Sequence, residues 1–132
     1  MRFALNRLDL TGPEAFAQAA KRAEKLGWGM GLTPVNPLKV ADPYVSLALA
    51  AQATSDIQLG TLLDNPVLRH PSVLAGSICT VAGLAPGRIH CGLGTGDTAV
   101  RMHTAAISSA MLSSRSRVRA RSMAEVIASS EA

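Results

Sequence analysis

Two loops of this 132-residue chain hold side chains that could do chemistry. The first loop, residues 64–71, contains Arg69 and His70. An imidazole can act as an acid, a base or a hydrogen-bond donor to a ligand, and a guanidinium can receive an anion. The alternative is that both side chains bond only to nearby backbone where a helix begins. His70 is therefore a candidate catalytic residue, with the packing role kept open.

The second loop, residues 92–97, is rich in glycine. Glycines let a ligand or another backbone approach closely, and their N–H groups could face a phosphate or a planar ring. Gly94, Gly96 and Ala99 also match the dinucleotide-binding fingerprint, which suggests an NAD(P)-binding dehydrogenase fragment as one alternative. No acidic residue follows about 20 positions later to hold a ribose. A tight turn with Asp97 as its cap explains the same residues equally well.

A repeated strand–helix pattern positions both loops. Successive apolar strands are predicted to begin near residues 28, 57 and 89, and a β-α-β unit takes about 30 residues. The pattern therefore predicts an α/β fold with a parallel sheet, in which ligands gather where strands end. The predicted strands are residues 2–5, 28–32, 57–63 and 88–93, and the predicted helices are residues 13–26, 43–53 and 72–84.

Polar residues mark where the first two helices start. Thr11 and Glu14 have the spacing of a capping box, in which each side chain bonds the other residue's backbone. Pro13 is tolerated in a first turn, whose N–H groups have no helical partner. Asp42 directly precedes Pro43, and it is expected to cap the second helix.

The remaining titratable residues favour no metal site. Cys79 and Cys91 form no CxxC pair, so we expect two buried thiols, with neither a disulfide nor a bound metal, in a cytoplasmic protein. His90 lies within a predicted strand, and we expect it to be a hydrogen-bonded core residue. No apolar run reaches the roughly 18 residues of a membrane span.

Charge and composition argue against a specific nucleic-acid partner. Aromatic residues make up 3% of the chain, which is too few for binding by base stacking. The net charge of +4 comes mostly from residues 101–132, which contain five arginines and two glutamates. This serine- and arginine-rich tail, residues 102–132, lacks a convincing strand. We predict that it is poorly ordered or helical and lies outside a barrel domain spanning residues 1–101.

Several segments, in order, resemble the luciferase-like monooxygenase family. The similarity is greatest to its coenzyme F420-dependent branch, which includes methylenetetrahydromethanopterin reductase. The segments that carry the resemblance are residues 23–28 (AEKLGW), 42–43 (DP), 53–61 (ATSDIQLGT), 65–66 (NP), 69–71 (RHP), 84–88 (LAPGR) and 92–97 (GLGTGD).

The resemblance implies a (β/α)8 barrel that binds coenzyme F420 or FMN at the carboxyl ends of its strands. Members transfer hydride to a small-molecule substrate or activate oxygen for monooxygenation. The strand at residues 57–63 is expected to carry a bulge, often with a non-prolyl cis peptide, that backs the cofactor ring. The residues implied to bind the cofactor are Leu62, Leu63 and Asn65 from that strand and Gly94, Thr95, Gly96 and Asp97 from the glycine loop.

The resemblance covers only the first half of such a barrel. The fold class we predict is therefore a partial (β/α)8 barrel of about four parallel β/α units, a truncated F420- or FMN-dependent oxidoreductase. Many F420-dependent members carry an Asp-His pair after the second strand, which residues 32–37 (LTPVNP) lack, so the proton donor is unassigned. The alternative is a noncatalytic half barrel that assembles with itself as a homodimer or with a missing barrel half.

Overall fold

The computed structural model describes residues 3–7, 11–36 and 39–94. They belong to the first of two compact units, Met1–Gly96, and the predicted tail lies outside the described residues. The elements are, in chain order, β1 (Ala4–Asn6), α1 (Pro13–Lys25), β2 (Met30–Thr33), α2 (Pro43–Ala53), β3 (Gln58–Asp64), α3 (Pro71–Leu84) and β4 (Ile89–Leu93).

The four strands form one parallel sheet in the order β1-β2-β3-β4. Each strand pairs with the next along the chain, as Met30 opposite Gln58 and Leu59 opposite Ile89 show. Parallel neighbours in sequence order, joined by helices, are the arrangement from which a (β/α)8 barrel is built. The predicted α/β architecture is confirmed.

In the part of the chain that the structure describes, an apolar core lies between the helices and one face of the sheet. Its largest fully buried apolar side chains are Phe16 from α1, Leu47 from α2 and Leu59 from β3. The helices α1 and α2 pack against each other, and both bring buried alanines to the core. The alanines are Ala17, Ala20, Ala23, Ala50 and Ala51. None of the helices described has the length and apolar character needed to cross a membrane.

The capping prediction is confirmed for α2 and wrong for α1. Asp42 Oδ1 accepts the backbone N–H groups of Tyr44 (2.9 Å) and Val45 (3.3 Å). At α1 the cap residue is Gly12, which has no side chain to accept a bond and adopts a φ of 122°. Thr11 is thus one residue too early to cap the helix.

Two side chains expected in the core lie at the surface. Cys79 is exposed because α3 buries only Leu74 and Val81, and Cys79 lies on its outer side. Cys91 is partly buried. His90 is also exposed, with Nε2 2.7 Å from Gln58 Oε1. Ile89 packs on the core, and successive strand residues point to opposite faces, so His90 points away from it.

Glu24 fixes the loop that leads into β3. Its Oε1 accepts the backbone N–H groups of Ser55 (2.9 Å), Asp56 (2.7 Å) and Ile57 (3.0 Å). Partial burial acts to raise the pKa of Glu24, but these three bonds and the charge of Arg88 outweigh it, so the pKa is lowered. The ionised form of Glu24 therefore stabilises the fold.

We expect Glu24→Gln to lower the free energy of unfolding by about 1 kcal/mol at neutral pH, since solvent screens much of this charge. Because the pKa is lower in the folded state, the contribution is complete above the ordinary pKa of 4.5 and is lost as the pH falls through the folded value. Urea unfolding at pH 7 and pH 3 measures the free energy of unfolding of Glu24→Gln and of the unsubstituted chain. A matched change at the exposed Glu14 should cost less than about 0.5 kcal/mol. A deficit for Glu24→Gln that stays the same at both pH values would contradict this role.

Candidate functional site

The carboxyl end of β3 is irregular at the position where the cofactor was expected. The pairing of β3 with β4 shifts register between Thr61 and Asp64, which marks a bulge. The peptide bond between Leu62 and Leu63 is cis, although neither residue is proline. Both features implied by the family resemblance for this strand are present.

The bulge presents apolar side chains outward. Leu62 is 45% exposed, although residues of a parallel strand are usually buried on both faces. Leu63 is partly buried and contacts Gly94, where a Cβ atom would lie 2.8 Å from Leu63 Cδ2. Only glycine fits at position 94 without moving Leu63. We call Leu62, Leu63 and Gly94 the apolar platform.

Asn65 lies directly after the bulge and is 3% exposed. Its Oδ1 accepts the backbone N–H of Val67 at 2.9 Å, which holds the start of the following loop. The structure therefore gives Asn65 a part in shaping the loop beside the platform. Thr95, Gly96 and Asp97, the other predicted cofactor-binding residues, lie outside the described residues.

His70 and Arg69 make local contacts at the start of α3. His70 is the N-cap residue of the helix, and its Nδ1 accepts the backbone N–H of Ser72 at 3.3 Å and lies 2.8 Å from Ser72 Oγ. Arg69 pairs with Asp42, and its guanidinium lies 4.9 Å from the centre of the Tyr44 ring. These contacts correspond to the packing alternative, and a catalytic role for His70 stays a prediction.

A buried pair that the sequence did not single out lies behind the bulge. Asp64 is fully buried, and Tyr44 Oη donates to its Oδ2 at 2.5 Å. Asp64 Oδ1 accepts the backbone N–H of Asn65 at 2.7 Å, and the Asp64 carbonyl accepts the N–H of Gly94 at 2.9 Å. Burial, followed by the bond to Asp64 and its charge, raises the pKa of Tyr44 far above its ordinary value. Tyr44 therefore remains a hydrogen-bond donor.

Comparison with known families decides the affiliation of the chain. The family model of the luciferase-like monooxygenases matches residues 3–128. The chain belongs to the luciferase-like monooxygenase family. The match reaches into the segment that we predicted to lie outside the barrel, and the boundary at residue 101 stays a prediction.

Relatives within this family include enzymes named for coenzyme F420. The chain is 43% identical over 56 residues to the F420-dependent hydroxymycolic acid dehydrogenase of Mycobacterium tuberculosis. The matched segment is 42% of this chain and 16% of that protein. The structure of coenzyme F420 dependent tetrahydromethanopterin reductase from Methanopyrus kandleri matches with a TM-score of 0.70 and 32% identity. This match covers 75% of this chain and 28% of that one.

A third comparison concerns the fold alone. The oxygenating constituent of 3,6-diketocamphane monooxygenase from Pseudomonas putida, in complex with FMN, matches with a TM-score of 0.68 at 20% identity. It covers 78% of this chain and 32% of that one. The chain thus spans a third or less of the length of these three proteins. Together with the parallel sheet, the matches confirm the partial-barrel fold class.

The apolar platform has the chemistry of a surface that could hold a planar ring. The platform offers apolar side chains at the open end of two parallel strands, as ligand sites of this fold do. Among the residues that the structure describes, no three His, Cys, Asp or Glu side chains are grouped to hold a metal ion. In this luciferase-like chain, the residues that could hold such a ring are Leu62, Leu63 and Gly94, and Asn65 fixes the loop beside them.

Proposed function

We propose that this chain provides the cofactor-ring site of an F420- or FMN-dependent oxidoreductase. The observation that supports this proposal is the bulge at Leu62 and Leu63, where Leu62 is 45% exposed at the carboxyl end of a parallel strand. Covering that side chain with a planar ring would remove apolar surface from water, which favours binding. The dehydrogenase and the reductase above are both named for F420, so F420 is the first candidate and FMN the second.

The residues of this chain would position the cofactor, and the cofactor when bound would supply hydride chemistry. The platform would pack against one face of the ring. Gly94 keeps space for Leu63, and Asn65 holds the adjoining loop. The predicted contacts from Thr95, Gly96 and Asp97 would complete the same pocket, with a small-molecule substrate on the other face of the ring.

Leu62→Asp tests this proposal directly. An aspartate would place a charge against the apolar ring, so we expect affinity for the cofactor to fall about tenfold or more. Quenching of F420 or FMN fluorescence by the purified chain measures the affinity. Leu84→Asp is the matched control, since Leu84 is 46% exposed at the far end of α3. Absence of quenching by the unsubstituted chain, or equal losses in both variants, would contradict the proposal.

A second candidate function is assembly of the half barrel with a second copy of the chain. The observation that favours it is a groove of about 630 Å³ between α2 and α3, two helices that contain no charged residue. Val45 and Val73 are 50% and 55% exposed on these helices. Size-exclusion chromatography with light scattering measures the oligomeric state of the purified chain. A monomer that binds F420 would contradict assembly as the function.

The alternative of an NAD(P)-binding fragment depends on Gly96 and Ala99, which lie outside the described residues.

A further inference from the structure

The Asp64 carboxyl group directly follows the platform residue Leu63 in the chain. It is fully buried, and both oxygens accept hydrogen bonds, one from Tyr44 Oη and one from the Asn65 N–H. Two donors suit the ionised form of a carboxyl group. Within residues 3–7, 11–36 and 39–94, the structure shows no ion pair to Asp64.

Among the residues that the structure describes, no cation forms an ion pair with Asp64. Tyr44 approaches from α2 and stays neutral because its pKa is raised. Arg69 lies over the Tyr44 ring, and it pairs with Asp42. Cys91 approaches from β4 and acts on Tyr44 in the same direction as Asp64 does. A charge in such a weakly polar interior acts strongly over short distances.

We propose that Asp64, held by Tyr44, is a positioning residue that keeps the bound cofactor ring in its neutral, protonated form. This inference rests on the proposed function, because it requires the ring to lie on Leu62 and Leu63, next to Asp64 in the chain. A fixed negative charge disfavours a second negative charge nearby. The oxidised F420 ring can lose a proton from its hydroxyl group, and the FMN ring can lose one from its imide N–H. Asp64 opposes both ionisations.

This role bears on the reaction because a neutral ring accepts a hydride more readily than an anionic ring does. The same carboxylate also orders the site. It bonds the Asn65 N–H, and its own backbone carbonyl bonds the Gly94 N–H, so one residue connects the bulge to the glycine loop. An amide at this position removes the charge and can keep the bond from the Asn65 N–H through its oxygen, while its Nδ2 would donate to Tyr44 Oη where the carboxylate accepts.

The test is the Asp64→Asn variant, with the ring's ionisation as the readout. The absorbance of chain-bound F420, or of FMN where only FMN binds, is recorded as a function of pH. In the unsubstituted chain we expect the ring to ionise at higher pH than the free cofactor. Asp64→Asn should increase the ring's acid dissociation constant about tenfold relative to the unsubstituted chain. Asp64→Thr removes the same charge and serves where the asparagine variant does not fold.

The matched control is Asp56→Asn, which removes a carboxylate from the loop that leads into β3. The strand β3, about 20 Å long, separates the two positions, so Asp56→Asn should leave the ring's ionisation unchanged. If Asp64→Asn or Asp64→Thr binds the cofactor and leaves the ring's ionisation unchanged, the inference is wrong and the proposed function still stands. The same holds if Asp56→Asn changes the ring's ionisation as much as the Asp64 variants do. If the unsubstituted chain binds neither F420 nor FMN, the proposed function fails, and this inference fails with it.

Discussion

Replacing Leu59 by alanine is expected to lower the free energy of unfolding by about 3 kcal/mol. Leu59 is fully buried in β3, the strand that carries the bulge, and it belongs to the core cluster. Strands pair with β3 on both sides at this position, through Gly31 and Ile89. The backbone around Leu59 therefore cannot collapse into the space left by three missing carbons. The midpoint of urea unfolding, followed by circular dichroism, measures the loss.

Leu26→Ala is the control for this substitution because it removes the same atoms from a leucine that is 69% exposed. Its expected cost is below about 0.5 kcal/mol. Equal costs for the two variants would contradict the core described here. A change in the slope of the unfolding curve would instead point to a change in the surface exposed on unfolding.

Most elements of this fold could be predicted because their sequence signals are local. The apolar run predicted as a strand at residues 57–63 is observed as β3, Gln58–Asp64. The helix predicted at residues 72–84 is observed as α3, Pro71–Leu84. Prolines at helix starts and the Asp42 cap set such boundaries within a few residues of chain. The parallel order follows from the spacing of about 30 residues.

The orientation of side chains was harder to predict because it depends on distant parts of the chain. Residues of α3 are apolar nearly all around the helix, so the pattern does not indicate which side packs inward. The expectation that Cys79 is buried comes from the lack of a CxxC pair, and the pattern of α3 offers nothing to correct it. The error at Thr11 has a different origin, since Gly12 adopts a backbone conformation that shifts the cap by one residue.

In the candidate site, too, some residues could be predicted from the sequence, and the contact between distant residues could not. Leu62, Leu63 and Gly94 were named through the family resemblance, and the structure brings Leu63 against Gly94. The pairing of Tyr44 with Asp64 joins residues 20 positions apart, and it forms only because α2 packs beside β3. An acidic residue at the end of an apolar strand was the only available signal. This signal does not reveal that Tyr44 is the partner of Asp64.

Replacing Arg88 by alanine is expected to lower the free energy of unfolding by about 3 kcal/mol, because one guanidinium holds the end of α2 against the start of β3. Nη1 donates to Thr54 Oγ1 (3.1 Å) and the Ile57 carbonyl (3.2 Å). Nη2 donates to the carbonyls of Ala51 and Thr54, both at 3.1 Å. Carbonyls at a helix end have no partner within the helix, and a cation there also opposes the negative end of the helix dipole.

Two further variants separate the geometry of Arg88 from its charge. Arg88→Lys keeps the charge, but a single ammonium cannot reproduce the planar fork that reaches four acceptors, so we expect about half of the loss. Arg22→Ala removes an exposed arginine from α1 and should cost less than about 0.5 kcal/mol. Urea unfolding of the three variants gives the order. If Arg88→Lys is as stable as the unsubstituted chain, charge alone accounts for the effect and the forked contacts do not. If Arg88→Ala costs no more than Arg22→Ala, the Arg88 guanidinium does not connect α2 to β3 in solution.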